Sequence, residues 1–341
     1  MSVDPSWNQA GERAAAARVI LIIGETDTGK SSFTTFLANS LVERKLKVGV
    51  VDADLGQSDI GPPTTVGLGL VTQPIDRLGE AEVVSLYFVG STSPQGHVLP
   101  TVIGTKKMVE KALSLGVDRV LVDTSGLIQG ELGRNLKQHK MDLIDPDLLL
   151  CLQRGGESEH ILRPYVQGRR PEILRLASGP AGHKRSQEER RQHRERTLQA
   201  YFHGARILHL DLSRVVIKQP ALYVGQPLPA RQLDEISGIT DDMILWAERR
   251  GGELALVTPD PLREAQLRQA QKRFDDGSVV NYCLDDFQGA LAGLDDAERE
   301  TLGLGIVRSI DFAKQVLVVE TTVPESAIAG VRIGRQKFRL T

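Results

Sequence analysis

Several things this 341-residue sequence lacks narrow its reading. It has only two cysteines, Cys151 and Cys283, far apart and in no metal-ligand spacing, so neither a disulfide framework nor a zinc site organises it, and a reducing cytoplasm is expected. It has no basic excess: Lys plus Arg number 42 against 44 for Asp plus Glu, a net charge of −2, so contact with nucleic acid must come from a local patch. It has no apolar run near the roughly 18 residues a membrane span needs, and the apolar stretch before Gly24 is broken by Arg18 and lacks the parts of a signal peptide. No membrane association is expected. At 40% hydrophobic and 25% charged, the chain has the composition of a globular protein.

What is present has a strand–helix rhythm. Residues 1–18 read as a frayed lead-in. Val19–Ile23 is a short β-branched run ending at Gly24, the mark of a buried parallel strand, and Ser31–Arg44 carries Phe33, Phe36, Leu37 and Leu41 at helical spacing. Strands are expected at Val48–Val51, Val83–Val89, Val120–Val122 and Leu148–Leu152, with a helix over Thr101–Leu115. Such alternation predicts an α/β domain with a parallel sheet over residues 19–203. From about residue 204 to 341 short strand-like pieces, including Ile207–Leu210, Val215–Lys218, Ala255–Thr258, Gly305–Ile310 and Val316–Glu320, predict a smaller β-rich domain.

Between the first strand and its helix, Gly24, Glu25, Thr26, Asp27, Thr28, Gly29, Lys30 and Ser31 spell G-x-x-x-x-G-K-[ST], with Ser32 following. Glycines let successive N–H groups converge on phosphate oxygens, and the helix N-terminus adds partial positive charge. Lys30 is expected to reach the β- and γ-phosphates and the Ser31 hydroxyl to ligate Mg²⁺. Two omissions refine this: Glu25 stands where partition-type ATPases carry a second lysine, and no [NT]-K-x-D run follows a strand, which disfavours a guanine-specific switch.

Two further strands end in acid. Asp52 and Asp54 close the strand at Val50-Val-Asp-Ala-Asp54, and Gln57 follows; a carboxylate there can hold Mg²⁺ or accept a proton from an attacking hydroxyl. If the strand persists, Asp52 and Asp54 share a side and divide those roles. Asp123 precedes Thr124, Ser125 and Gly126, a second candidate for Mg²⁺ that reads equally as a switch or as an acceptor-facing loop. Gly90-Ser-Thr-Ser-Pro94 is either an anion-binding turn or an ordinary one.

From His183 to Arg196 the chain turns charged, with Lys184, Arg185, Arg190, Arg191, Arg194 and Arg196 against Glu188, Glu189 and Glu195. Ser186 and Glu189 have capping-box spacing, and Leu198, Tyr201 and Phe202 give the helix an apolar end. Such a helix is either a solvated face or a lid over about 183–202 whose arginines stabilise charge on a transferred phosphoryl group.

In this order the motifs resemble the polynucleotide 5′-hydroxyl kinase family, which includes the kinase subunit of the pre-mRNA cleavage complex and the rRNA-processing kinases. The resemblance covers residues 19 to about 225, and rests on Gly24–Ser32, Asp52–Gln57, Phe88–Pro94, Asp123–Gly126 and Arg185–Arg190 leading to Tyr201-Phe202. It implies ATP (other nucleoside triphosphates left open) and Mg²⁺ as cofactors, and a 5′-hydroxyl end of RNA or DNA as partner. It also implies Asp54 as general base, Lys30 as phosphate-loop lysine, Ser31 as metal ligand, Arg185 and Arg190 as lid arginines, and Thr124 and Gly126 as a clasp. Leu127 stands where well-studied members carry a base-stacking tryptophan, and the 23 residues before Gly24 suggest a reduced, prokaryotic-type member without an N-terminal β domain. Protein partners are not specified. Two other readings stay open: an NTP-binding scaffold of an RNA-processing complex without transfer activity, and a kinase of a small nucleoside-type acceptor.

Overall fold

The computed structural model describes residues 5–178, 186–218, 222–274 and 277–339, and the chain divides into two compact units, residues 1–201 and 202–341. In the first unit seven strands, β1 (Val19–Gly24), β2 (Val48–Ala53), β3 (Thr65–Val71), β4 (Glu82–Phe88), β5 (Arg119–Thr124), β6 (Leu148–Gln153) and β7 (Glu172–Ala177), lie in the order β7-β6-β1-β5-β2-β3-β4. The five strands from β7 to β2 run parallel, and β3 and β4 join as antiparallel neighbours. The helices are α1 (Pro5–Ala16), α2 (Lys30–Glu43), α3 (Val98–Ser114), α4 (Gly130–Ile144), the single turn α5 (Glu159–Leu162) and α6 (Gln187–Tyr201).

Every residue of β1 is buried because both faces of the sheet are covered. Alternation along the strand sends Ile20 and Ile22 into one core with Phe33, Leu37 and Leu41 of α2, and Leu21 and Ile23 into another with Met108 and Val109 of α3 and Met141 of α4. Each such side chain contributes about 1.5–3 kcal/mol by leaving water.

Three departures from the sequence reading have physical causes. Residues 5–16 form a helix instead of a frayed lead-in: its alanines are the contact surface, with Ala10 and Ala14 fully buried and the Trp7 ring 4.9 Å from Phe33 and 5.3 Å from Phe36. Trp7→Ala is therefore expected to destabilise the chain by about 2 kcal/mol, roughly half the cost of deleting a fully buried aromatic, read as a lower urea midpoint with an unchanged slope. Second, β3 is a strand despite Gly67 and Gly69; a Cβ at Gly67 would lie 1.9 Å from the Ile60 carbonyl oxygen, so the chain folding back beside β3 demands glycine there. Third, α4 carries lysines on its buried face, which hides its amphipathic pattern.

The second unit holds strands β8 (Arg206–Asp211), β9 (Val216–Lys218), β10 (Gln226–Pro227), β11 (Trp246–Arg250), β12 (Glu253–Thr258), β13 (Ser278–Cys283), β14 (Ala290–Asp295), β15 (Thr301–Asp311), β16 (Val316–Thr321) and β17 (Gly330–Lys337). Within it β8-β16-β15-β14-β17-β9 pair in that order, and β10-β11-β12-β13 form a separate sheet. The unit is less purely β than its sequence suggests. Helices α7 (Ala230–Thr240) and α8 (Glu264–Phe274) pack Ile236 and Ala270 on Ala247, Leu254 and Leu256 of the smaller sheet, and a short α9 (Leu284–Phe287) precedes β14. No helix among the described residues is long and apolar enough to cross a membrane.

Candidate active site

The phosphate-type loop joins β1 to α2 at the C-terminal edge of the parallel strands, where ligands bind in open α/β sheets. Gly29 precedes α2 in the left-handed region (φ 85°), a conformation glycine takes without strain. The loop is braced internally: the Thr28 hydroxyl donates to the Glu25 carbonyl at 2.8 Å and the Lys30 ammonium donates to the same oxygen at 2.7 Å. Lys30 is 8% exposed, and burial pulls its pKa below the usual lysine value against the opposing charges of Asp123, Asp54 and Asp27. Ser32 lies exposed in the first turn of α2.

The Ser31 hydroxyl donates to Asp123 Oδ2 at 2.8 Å, while Oδ1 of the same carboxylate is buried without a hydrogen-bond partner. Burial pushes the Asp123 pKa to about 6, against the opposing pull of Lys30 and the Ser31 hydrogen bond. A hydroxyl and a carboxylate side by side, one oxygen unsatisfied, form the hard-oxygen donor pair that Mg²⁺ takes beside a triphosphate. The residues present therefore fit the ion.

Asp52 does not belong to that pair. It faces Asp123 in register across β2 and β5, but its Oδ1 accepts the Asp54 N–H at 3.0 Å and its Oδ2 accepts the Asp59 and Ile60 N–H groups and the Ser58 hydroxyl. The expected metal ligand is instead the hub that folds residues 54–60, and burial raises its pKa well above the carboxylate range. Because β2 ends at Ala53, strand alternation does not place Asp54 on the same side as Asp52. Asp54 opens the loop, with Oδ1 pinned by the Gly56 and Gln57 N–H groups at 3.0 Å each and Oδ2 outside those bonds.

The clasp expectation also divides. Thr124 faces the interior: its hydroxyl donates to the Ile22 carbonyl at 2.8 Å and accepts from Lys137 at 2.9 Å, so it ties β5 to β1 and does not face a substrate. Gly126 instead packs against the phosphate loop, where a Cβ would lie 2.5 Å from Thr26 Cα and N. Leu127 lines an open cavity of about 520 Å³ with Glu25, Asp27, Arg154 and Arg190. Ser91 and Ser93 in the Gly90–Pro94 turn spend their hydroxyls on local backbone groups, as in an ordinary turn.

Ser186 and Glu189 form the capping box that starts α6, with reciprocal bonds of 2.6 and 3.1 Å. From this helix Arg190 reaches the phosphate loop, pairing with Asp27 at 2.9 Å. Arg185 lies outside the described residues. The sequence reading missed Arg154, at the end of β6, which donates to Asp27 O at 2.8 Å and Glu25 Oε2 at 3.2 Å. It also missed His160, whose Nε2 donates to the Ile128 carbonyl at 2.9 Å and steadies the loop after Gly126. A position just past a parallel strand was the available signal for Arg154; nothing local marked His160.

Sheet order, loop and acidic strand ends together define a P-loop nucleotide-binding protein. The family described as "mRNA cleavage and polyadenylation factor CLP1 P-loop" matches residues 24–204, and the chain belongs to that family. It is 31% identical to a polyribonucleotide 5′-hydroxyl-kinase of Pyrococcus abyssi, over 94% of this chain and 87% of the relative, and 31% identical to one of Pyrococcus furiosus with the same coverage. It is 26% identical to the polyribonucleotide 5′-hydroxyl-kinase Clp1 of Xenopus tropicalis, over 89% of this chain and 67% of that protein. Among solved structures, Clp1p in its complex with Pcf11p shares the fold at a TM-score of 0.63 and 13% identity, across 97% of this chain and 78% of that one.

Proposed function

We propose that this chain is an ATP-dependent polynucleotide 5′-hydroxyl kinase that moves the γ-phosphoryl group of ATP onto the 5′-hydroxyl of RNA. The observation that carries this reading is Asp54, held at one oxygen by two N–H groups in the loop that follows β2, at the same C-terminal edge of the parallel strands as the nucleotide loop. The kinship with named polyribonucleotide kinases supports the acceptor class.

In the proposed reaction Asp54 accepts the proton of the 5′-hydroxyl as its oxygen bonds to the γ-phosphorus in line. The bond from phosphorus to the β–γ bridging oxygen breaks and ADP leaves. Lys30 stabilises negative charge on the transferred group, and Arg190 exchanges Asp27 for a phosphate oxygen when α6 closes. Ser31 and Asp123 would hold Mg²⁺, which when bound neutralises charge on the β- and γ-oxygens. Catalysis here is chiefly positioning and electrostatic stabilisation.

The test is an acceptor series with γ-labelled ATP: a 5′-hydroxyl oligoribonucleotide, the matching oligodeoxyribonucleotide and a free nucleoside. Label is expected on the oligoribonucleotide and at background on the nucleoside. Equal labelling of the nucleoside, or ATP binding with label on no acceptor, overturns the reading.

A further inference from the structure

The loop that joins β2 to β3 carries Asp54 and is tied at both ends. At its start the Asp54 N–H donates to Asp52 Oδ1 at 3.0 Å, and Asp54 Oδ1 accepts the Gly56 and Gln57 N–H groups. At its close the Thr64 N–H donates to the Leu55 carbonyl at 3.0 Å, so the chain returns to the residue beside Asp54. The Thr64 carbonyl in turn accepts the Val89 and Gly90 N–H groups at 2.9 and 3.2 Å, which fastens the loop to the turn after β4.

Thr64 makes that junction in a conformation its side chain resists. Its φ of 77° lies in the left-handed region, where a β-branched residue is strained. The residue is fully buried and its hydroxyl meets no hydrogen-bond partner. Local preference therefore does not set this backbone; the bonds to Leu55, Val89 and Gly90 do. Strain of this kind persists where the surrounding structure over-determines it, and it clusters at functional sites.

A second contact joins the same two segments. Gly56 is not left-handed, so its own backbone would accept alanine, yet a Cβ there would lie 2.9 Å from the Thr92 carbonyl oxygen and 3.6 Å from Asp54 Oδ1. The turn Gly90-Ser-Thr-Ser-Pro94 thus lies main chain against main chain with the residue whose N–H pins Asp54.

We propose that the turn after β4 is the positioning element for Asp54: through Gly56 and Thr64 it fixes the loop that holds Oδ1, and so aims Oδ2 at the acceptor hydroxyl. Gly56, Thr64 and Thr92 are positioning residues that act through Asp54. The inference rests on the kinase reading above.

The test uses the full chain with Gly56→Ala, Asp54→Asn and the two combined. Transfer to a 5′-hydroxyl oligoribonucleotide, affinity for a non-hydrolysable ATP analogue and the far-ultraviolet circular dichroism spectrum are read for each. The added methyl group must displace the Asp54 loop or the turn, and a shift of about 1 Å at a reacting group costs on the order of 10²-fold in rate. Gly56→Ala is expected to lower kcat at least tenfold, with analogue affinity within threefold of the parent. Added to Asp54→Asn, it is expected to lower kcat by less than a further threefold, because the group it positions is already gone. A fall of less than tenfold in the single variant overturns the proposal, as does a larger change in analogue affinity or a larger further fall in the combined variant. If Gly56→Ala does not fold, Thr92→Gly, which loosens the turn without adding an atom, is read against the same limits. If the parent binds the analogue but labels no 5′-hydroxyl, the kinase reading fails and this inference falls with it; if the parent transfers phosphate and the limits are missed, the inference fails alone.

Discussion

Asp54→Asn is expected to lower kcat for transfer to a 5′-hydroxyl by about 10²–10⁴-fold, the range a positioned general base contributes, while leaving affinity for ATP within about threefold. The amide retains an oxygen that can accept the Gly56 and Gln57 N–H groups that Asp54 Oδ1 now accepts, so the loop has reason to keep its shape. What is lost is the second, basic oxygen. A filter assay for transfer and a fluorescent-nucleotide titration measure the two halves separately. Near-normal turnover in the variant would remove Asp54 from the mechanism.

The second large effect comes from a residue with no side chain. Gly126→Ala places a methyl group 2.5 Å from the backbone of Thr26, inside the phosphate loop, where the neighbour is main chain and cannot rotate away. Either the loop or the turn after Asp123 must move, and both carry candidate ligands. ATP affinity is expected to fall by at least 100-fold with the fold intact, because the displaced segments lie at the ligand edge of the sheet and not in its core. Calorimetric titration with ATP, backed by an unchanged far-ultraviolet circular dichroism spectrum, checks this. Wild-type affinity in the alanine variant would show that the two loops do not need to touch.

The phosphate loop was legible in the sequence because its parts are contiguous: a β-branched run, the octapeptide Gly24–Ser31 and a helix with apolar spacing follow one another directly. The capping box at Ser186 and Glu189 was legible for the same reason. Roles that depend on where a distant segment returns were not. Asp52 looks like a metal ligand until Ser58, Asp59 and Ile60 are seen to fold back upon it. Thr124 looks like part of a clasp until Lys137, 13 residues on, captures its hydroxyl from behind. Helix α1 was misread because alanine packs well yet signals weakly, and its partners Phe33 and Phe36 lie in α2. In the second unit, α8 has too few apolar residues for its pattern to stand out beside the strands that flank it.

Helix α6 carries one further consequence. Leu198 is its one buried residue, and it meets the phosphate loop through the pair between Arg190 and Asp27, whose side chains are 23% and 22% exposed. Contacts of that sort are screened as the Debye length shrinks, from about 10 Å at 0.1 M salt to 3 Å at 1 M, whereas apolar packing is not. Added salt thus weakens the pair between Arg190 and Asp27 while apolar packing in the sheet is unaffected, so the medium tunes one of the contacts between this helix and the loop.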